Sequence, residues 1–301
     1  MGKGRIFTEI FAEKRMGLYD ILPSFGRILV LPVMSILDTI VARKREEVAE
    51  RKSHIPESVL RHYPLFERTP YSLAAALRQH SPGIIAEFKR RSPSKGTIND
   101  TAEVRETTMG YAQAGAAALS VLTDVDFFGG SDDDLRTARQ HNACPILRKD
   151  FTIDEYQITE AKAIGADAIL LIAAALPAPR ILALAQHAHQ IGLEVLLEVH
   201  DEAELRQTAL QDTIAPFVDV VGVNNRNLKT FEVSIDTSVQ LAKLIPGDAV
   251  KISESGISDP SAARELMEYG YQGFLIGESF MKQNDPATAC AELTTALRKG
   301  S

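Results

Sequence analysis

From residue 84 onward, short apolar runs rich in β-branched residues alternate with longer amphipathic stretches. The runs are Ile84-Ile85-Ala86, Ala118-Leu-Ser-Val-Leu122, Pro145-Ile146-Leu147, Ala168-Ile-Leu-Leu-Ile172, Glu194-Val-Leu-Leu-Glu198, Val218-Asp-Val-Val-Gly-Val223, Ala249-Val-Lys-Ile-Ser253 and Gly273-Phe-Leu-Ile-Gly277. Eight of them recur at intervals of roughly 22 to 34 residues. Runs that are apolar throughout suit strands covered on both faces, and helices between them enforce parallel pairing. Eight repeats predict closure into an α/β (β/α)8 TIM barrel. Gly115-Ala116, Gly165-Ala166 and Gly270-Tyr271 each precede a strand, where glycine ends a helix and reverses the chain. An open doubly wound sheet is the competing architecture. It needs a glycine-rich turn after the first strand, and Glu87-Phe88-Lys89-Arg90-Arg91-Ser92 is not one.

Ahead of the repeats, Ser35 to Arg51 reads as a helix, with Ile36, Leu37, Ile40 and Val41 as its apolar stripe and Glu47–Arg51 as an i,i+4 pair. A second helix is expected over Tyr71 to Gln79. Residues 1–33 differ from the rest: Lys3, Arg5, Lys14 and Arg15 mix with Glu9, Glu13 and Asp20, and no signal-peptide pattern is visible. They are expected to be an optional extension, leaving 34–301 as one catalytic domain with extra N-terminal helices.

Composition narrows the function without choosing it. A net charge of −7 argues against a nucleic-acid partner, whose phosphates attract Lys and Arg, yet leaves room for a small anionic substrate in a locally basic site. The longest apolar stretch, Ile28 to Met34, is far short of the roughly 20 residues a membrane span needs. Two distant cysteines, Cys144 and Cys290, fit a reduced cytoplasmic protein, with Cys144 expected to be a buried small hydrophobe.

In such barrels chemistry gathers at the C-terminal ends of the strands. The first strand ends with Glu87 and Lys89, two apart and so on one face together with Ile85 and Arg91, while Ile84, Ala86 and Phe88 face the helices. Two ionisable groups aimed into a barrel are costly unless they are paired or used. Lys149-Asp150 ends the third strand, Glu198 the fifth, Asn224-Asn225-Arg226 the sixth, Glu254-Ser255-Gly256 the seventh and Gly277-Glu278 the eighth. Singly each suits a solvated loop; together they read as an active site. The last two ends lie where barrels hold a phosphate on backbone N–H groups, and Ser92-Pro93-Ser94-Lys95-Gly96 is either a turn or a further hydroxyl and cation for that phosphate. His187 and His189 do not face one another on a helix, and His200 follows Glu198 by two without a third ligand, so no metal is expected. Asp132-Asp133-Asp134 after Ser131 reads as a helix N-terminus.

The motif Ile84-Ile-Ala-Glu-Phe-Lys-Arg-Arg-Ser-Pro-Ser-Lys-Gly96 resembles the signature of the indole-3-glycerol-phosphate synthase family. So do Ser120 to Ser131, Ile146 to Phe151, Leu196 to His200, Gly222 to Leu228 and Ser253 to Ile257, in the family's order and from about Met34 onward. The resemblance implies conversion of 1-(2-carboxyphenylamino)-1-deoxyribulose 5-phosphate to indole-3-glycerol phosphate in tryptophan biosynthesis, with release of carbon dioxide and water and no cofactor. It implies Lys149 as the acid in ring closure, Glu198 and Lys89 sharing acid and base duty in dehydration, and Glu87 balancing the lysines. Asn224 and Glu254 are then expected on substrate hydroxyls and Arg226 near the anthranilate carboxylate. Ser92, Ser255, Gly256, Gly277 and Glu278 are expected on the phosphate. The N-terminal helices are expected over the catalytic face, and the protein is expected to be a monomer or weak homo-oligomer. A sister barrel such as phosphoribosylanthranilate isomerase or the tryptophan synthase α chain is disfavoured by the lysine pair. A non-catalytic phosphate-binding barrel is disfavoured by the intact set Glu87, Lys89, Lys149 and Glu198.

Overall fold

The computed structural model describes residues 35–298; the expected extension over 1–33 and Met34 lie outside them. Eight strands close into a parallel barrel in sequence order, with the last strand paired to the first. They are β1 Gly83–Phe88, β2 Ala118–Leu122, β3 Ile146–Lys149, β4 Ala168–Ile172, β5 Glu194–Val199, β6 Val220–Asn224, β7 Val250–Glu254 and β8 Gly273–Ile276. Every predicted run is a strand, displaced by at most a few residues. The three glycines at helix ends, Gly115, Gly165 and Gly270, all have positive φ, as a helix-terminating reversal demands.

Alternation along each strand divides the apolar residues between two cores. Ile84, Ala86 and Phe88 lie in the outer core between strands and helices, and Ile85 lies in the inner core with Leu147, Leu170, Leu196 and Ile252. The parity expected for β1 therefore holds through Phe88. It fails at Arg91, because the strand stops and the chain turns into a two-stranded ribbon pairing Arg91–Ser92 with Gly96–Thr97. Arg91 donates to the Val125 and Asp126 carbonyls instead of facing the barrel interior. Cys144 is half-buried, not fully buried as expected, whereas Cys290 is buried.

The N-terminal helices take opposite ends of the barrel. Helix α1, Ile36–His54, is opened by a capping box between Ser35 and Asp38, and its Ile36, Leu37 and Ile40 lie at the C-terminal ends of the strands. The expected Glu47–Arg51 pair forms at 2.9 Å. After the short helix α2, Glu57–Leu60, comes α3, Leu73–Gln79, which closes the other end. Leu73, Ala74 and Leu77 of α3 plug the inner core, and Leu77 fits so closely against Gly83 and Gly273 that a Cβ on either would come within 2.9 Å of it. Glu194 at the start of β5 accepts from the Ala74 N–H, and Asp167, just before β4, from the Tyr71 N–H. The expectation that both helices cover the catalytic face is thus corrected. An amphipathic pattern says which side of a helix is buried, not which end of a barrel it stoppers.

Ion pairs fasten α1 beside its buried apolar stripe. Lys44 occupies the buried stripe of the helix between Val41 and Val48 and is 1% exposed. Its ammonium lies 2.7 Å from Glu47, 2.9 Å from Asp124 and 2.9 Å from Asp150, the last two on the loops after β2 and β3. Burial works against the charge, but the three carboxylates outweigh it and raise the Lys44 pKa above the ordinary lysine value. Lys44→Met, similar in length and without charge, leaves Asp124 without a cation among the described residues and Glu47 and Asp150 with only Arg51 and Arg148, and should destabilise the fold by about 3–5 kcal/mol. Urea unfolding at pH 7 measures this, and a loss below about 1 kcal/mol would mean that the clasp does not hold the helix.

Candidate active site

A cavity of about 440 Å³ opens at the C-terminal ends of the strands, within the size range of small-molecule sites. All twelve residues singled out from the sequence line it. The barrel geometry is the reason. Glu87, Lys149, Glu198, Asn224 and Glu254 each stand at or next to the last residue of a different strand, with side chains turned inward.

The charged groups form two connected clusters. Lys89 contacts Glu87 at 2.7 Å, and Ser120 Oγ donates to the other Glu87 oxygen at 3.1 Å. Burial alone would raise the Glu87 pKa, but Lys89 and Lys149 outweigh it and hold the carboxyl below its ordinary value. Lys149 Nζ donates to Glu198 Oε2 at 2.9 Å and to Glu254 Oε2 at 3.0 Å. Burial opposes its charge as well, but Glu198, Glu254 and Glu87 together raise its pKa, so it stays an ammonium.

The two carboxylates on Lys149 differ. Burial pushes both upward, yet for Glu198 the Lys149 cation and His200 prevail and hold it well below the usual carboxylate range. For Glu254 burial prevails over Lys149, with Glu198 adding repulsion, and its pKa is raised. Asn224 donates to Glu198 Oε1 at 3.1 Å, and its own carbonyl oxygen accepts from the Arg226 N–H at 3.0 Å.

The far side of the cavity has the features of an anion cradle. Ser255 and Gly256, on the loop after β7, both have positive φ, 65° and 77°. Asn225 braces that loop from behind by donating to Ser253 Oγ at 2.9 Å and to the Ser255 carbonyl at 3.0 Å. Gly277 lies against Glu87: a Cβ there would come 2.5 Å from Glu87 Oε1 and 3.0 Å from Glu87 Cβ. Ser92, Lys95 and Lys282 reach the same region, and Arg226 is held 3.6 Å from Glu278.

The apolar walls were not singled out from the sequence. Phe128 and Phe151 make a tilted ring pair with centroids 5.9 Å apart, and Leu170, Ile172 and Leu275 lie beneath. The available signal was weak: each phenylalanine follows a strand end within a few residues, on a loop whose course is not written in its periodicity. His187 and His189 go separate ways, to Thr159 and Asp219. Among the described residues no three His, Cys, Asp or Glu side chains are arranged to hold a metal ion, and no helix is long and apolar enough to cross a membrane.

Comparison with known proteins adds an identity to this geometry. A relative from Bacteroides thetaiotaomicron named indole-3-glycerol phosphate synthase is 48% identical over 263 residues, covering 87% of this chain and 99% of that one. One of the same name from Acinetobacter baylyi is 45% identical over 260 residues, covering 86% and 95%. Among solved structures, a thiamine phosphate pyrophosphorylase from Pyrococcus furiosus superposes with a TM-score of 0.55 at 17% identity, covering 74% of this chain and 98% of that one. A mutant tryptophan synthase α-subunit from the same organism gives 0.52 at 15%, covering 73% and 98%. These two share the barrel fold. The family model for indole-3-glycerol phosphate synthase matches residues 37–293, so the chain belongs to that family of decarboxylating lyases of tryptophan biosynthesis.

Proposed function

We propose that this cavity closes the indole ring of 1-(2-carboxyphenylamino)-1-deoxyribulose 5-phosphate with Lys149 as the proton donor. One observation carries the reading: a buried lysine ammonium lies between two carboxylates on the inner face of the barrel, with an anion cradle across the same cavity. The substrate's phosphate sits on the loops after β7 and β8, on Ser255, Gly256, Gly277 and the Glu278 backbone, with Ser92 adding a hydroxyl. Its aromatic ring lies between the apolar walls that Phe128 and Phe151 contribute. Arg226 approaches the anthranilate carboxylate, and Asn224 and Glu254 take the hydroxyl groups.

The chemistry then follows from charge. The ring carbon bearing the carboxylate attacks the carbonyl carbon, and Lys149 gives its proton to the carbonyl oxygen as negative charge develops there. The carbon–carboxylate bond breaks, its electron pair restores the aromatic ring, and carbon dioxide leaves. Loss of water completes the indole. An acid protonates the departing hydroxyl and a base removes a proton from the neighbouring carbon, duties shared by Lys89 and Glu198. Glu87 pairs with Lys89 and helps to keep Lys149 charged, since a nearby opposite charge favours the ionised form. The two free thiols, Cys144 and Cys290, support a cytoplasmic setting.

Purified protein given the synthetic substrate, with a metal chelator present, should show a rise of indole fluorescence. A variant beginning at Met34 should do the same if residues 1–33 are dispensable. A folded protein that forms no product would return the cavity to a phosphate-binding role.

Gly277→Ala tests the geometry more finely. Gly277 has a φ of −124° and a ψ of −66°, and an added methyl presses on Glu87 while also standing on the loop that takes the phosphate. Turnover should fall about 100-fold, the cost of displacing a reacting group by an ångström, and the overpacking should cost about 1–3 kcal/mol of stability. Wild-type turnover in this variant would mean that the position of Glu87 does not matter to the reaction.

A further inference from the structure

Lys149 stands between two carboxylates, and one cation does not fully neutralise both where water is largely excluded. One of the pair therefore takes a proton more readily than an isolated carboxylate would, and the two titrate together. Which one stays ionised decides which can serve as a base. Lys149 alone does not break the tie, being 2.9 Å from Glu198 and 3.0 Å from Glu254.

The asymmetry lies behind the cavity wall. His200 is two residues beyond Glu198 and turns its ring to the same side of the chain. Its Nε2 is 3.2 Å from Glu198 Oε1, off the hydrogen-bond axis, and has no other acceptor. Its Nδ1 is 3.1 Å from Glu204 Oε2, an atom that also accepts from the His200 backbone N–H at 2.8 Å. Glu204 lies in the first turn of helix α8, counted along the chain and spanning Glu202–Gln207, whose N-cap Asp201 accepts from the Glu204 N–H at 2.9 Å. A neutral imidazole keeps one nitrogen as a lone pair, and here either nitrogen would set that pair against a carboxylate oxygen. The imidazolium donates to Glu204 and brings its positive charge within 3.2 Å of Glu198. Burial lowers the pKa of His200, but Glu198 and Glu204 outweigh it and carry it up to about 10.

Glu254 has no such neighbour. Its Oε1 is buried without a hydrogen-bond donor and lies against Gly222, where a Cβ would come within 2.3 Å of it. A neutral carboxyl tolerates that surrounding better than an anion does. The remaining charged groups around Lys149 are Glu87 and Lys89 on β1, which pair with each other at 2.7 Å, and Arg226 after β6, which turns to Glu278. None of them favours Glu198 over Glu254 as His200 does.

We propose that His200 is a positioning residue: clamped as an imidazolium between Glu204 and Glu198, it fixes Glu198 as the ionised partner of Lys149 and leaves the shared proton on Glu254. The proposal deepens the assignment of Lys149 and Glu198 to the reacting site and, in its kinetic part, rests on it. His200 does not line the cavity, so it acts through Glu198 and not on the substrate.

The test has a part that needs no turnover. The chain has 7 histidines, and in protein labelled with ¹⁵N-histidine the ring signals missing from His200→Gln identify His200. Both ring nitrogens should still carry protons at pH 8, where a histidine with the ordinary pKa of about 6.5 is neutral. Glu204→Gln, on a partly exposed helix, should lower the pH at which that proton leaves, and it serves if His200→Gln fails to fold. In kinetics, removing the imidazolium lets the Glu198 pKa rise, so the acid limb of the kcat/KM profile moves up by about one to three pH units. On that acid limb kcat should fall about tenfold for each pH unit of displacement, with KM within about twofold of wild type. A His200 that titrates near the ordinary value, or a His200→Gln profile that superimposes on wild type, would overturn the proposal. A protonated His200 in a protein that makes no product would support the charge assignment and sink the proposed reaction instead.

Discussion

The catalytic end of this barrel is organised around one buried ammonium and the carboxylates that keep it charged. At an effective dielectric near 20, a carboxylate about 4 Å from a cation contributes about 4 kcal/mol of attraction, comparable to the several kcal/mol lost when one such ion leaves water. A single partner would leave Lys149 close to balance. With Glu198 in contact, Glu87 nearby and Glu254 accepting a hydrogen bond, attraction wins and the proton stays on the nitrogen. The converse is that the carboxylates outnumber the lysine, and the surplus negative charge must be met elsewhere: by Lys89 at Glu87 and, as proposed, by His200 at Glu198 and a proton on Glu254. The arrangement demands strands that end in register, since Glu254 lies opposite Asn224 on β6 and opposite Leu275 on β8.

That register is held from outside the site. At the far end of the barrel α3 plugs the inner core, and its backbone is anchored to Asp167 and Glu194 at the starts of β4 and β5. At the near end Lys44 of α1 ties the loops after β2 and β3, the second of which begins at the residue after Lys149. The same helix brings Ile36, Leu37 and Ile40 to the cavity, so the segment that steadies the loops also dries the site. Drying matters because attraction between charges grows as water leaves.

How much of this could be read from the residues depended on which physical rule governed each part. The eight strands were legible because strands covered on both faces must be apolar throughout, and the cavity residues because polar groups ending such runs have few other reasons to be there. Arg91 was misplaced because parity carries only as far as the strand does, and the chain leaves β1 after Phe88. The place of α3 was hidden because its small apolar face fits either end of a barrel. Lys44 left a trace that went unread, a charge in line with Leu37, Ile40, Val41 and Val48 on one helix face. His200, two residues from Glu198, carries in the sequence no sign of a role beyond a possible metal ligand. Its partner Glu204 becomes visible once the chain turns into α8 and brings that carboxylate back to the ring. The pairing of Phe128 with Phe151 depends on two loops meeting, which no local pattern specifies.

The measurement that bears most directly on this account separates binding from chemistry at Lys149. Lys149→Met keeps the length of the side chain and removes the proton that the proposal assigns to ring closure. Mixed with substrate in single-turnover experiments, it should bind the phosphate and the aromatic ring with affinity near that of wild type. It should form product at least about 1000-fold more slowly, the scale on which acid catalysis and charge stabilisation act together. Product formed at the wild-type rate by a folded Lys149→Met protein would contradict the account, because the buried ammonium would then have no part in the reaction.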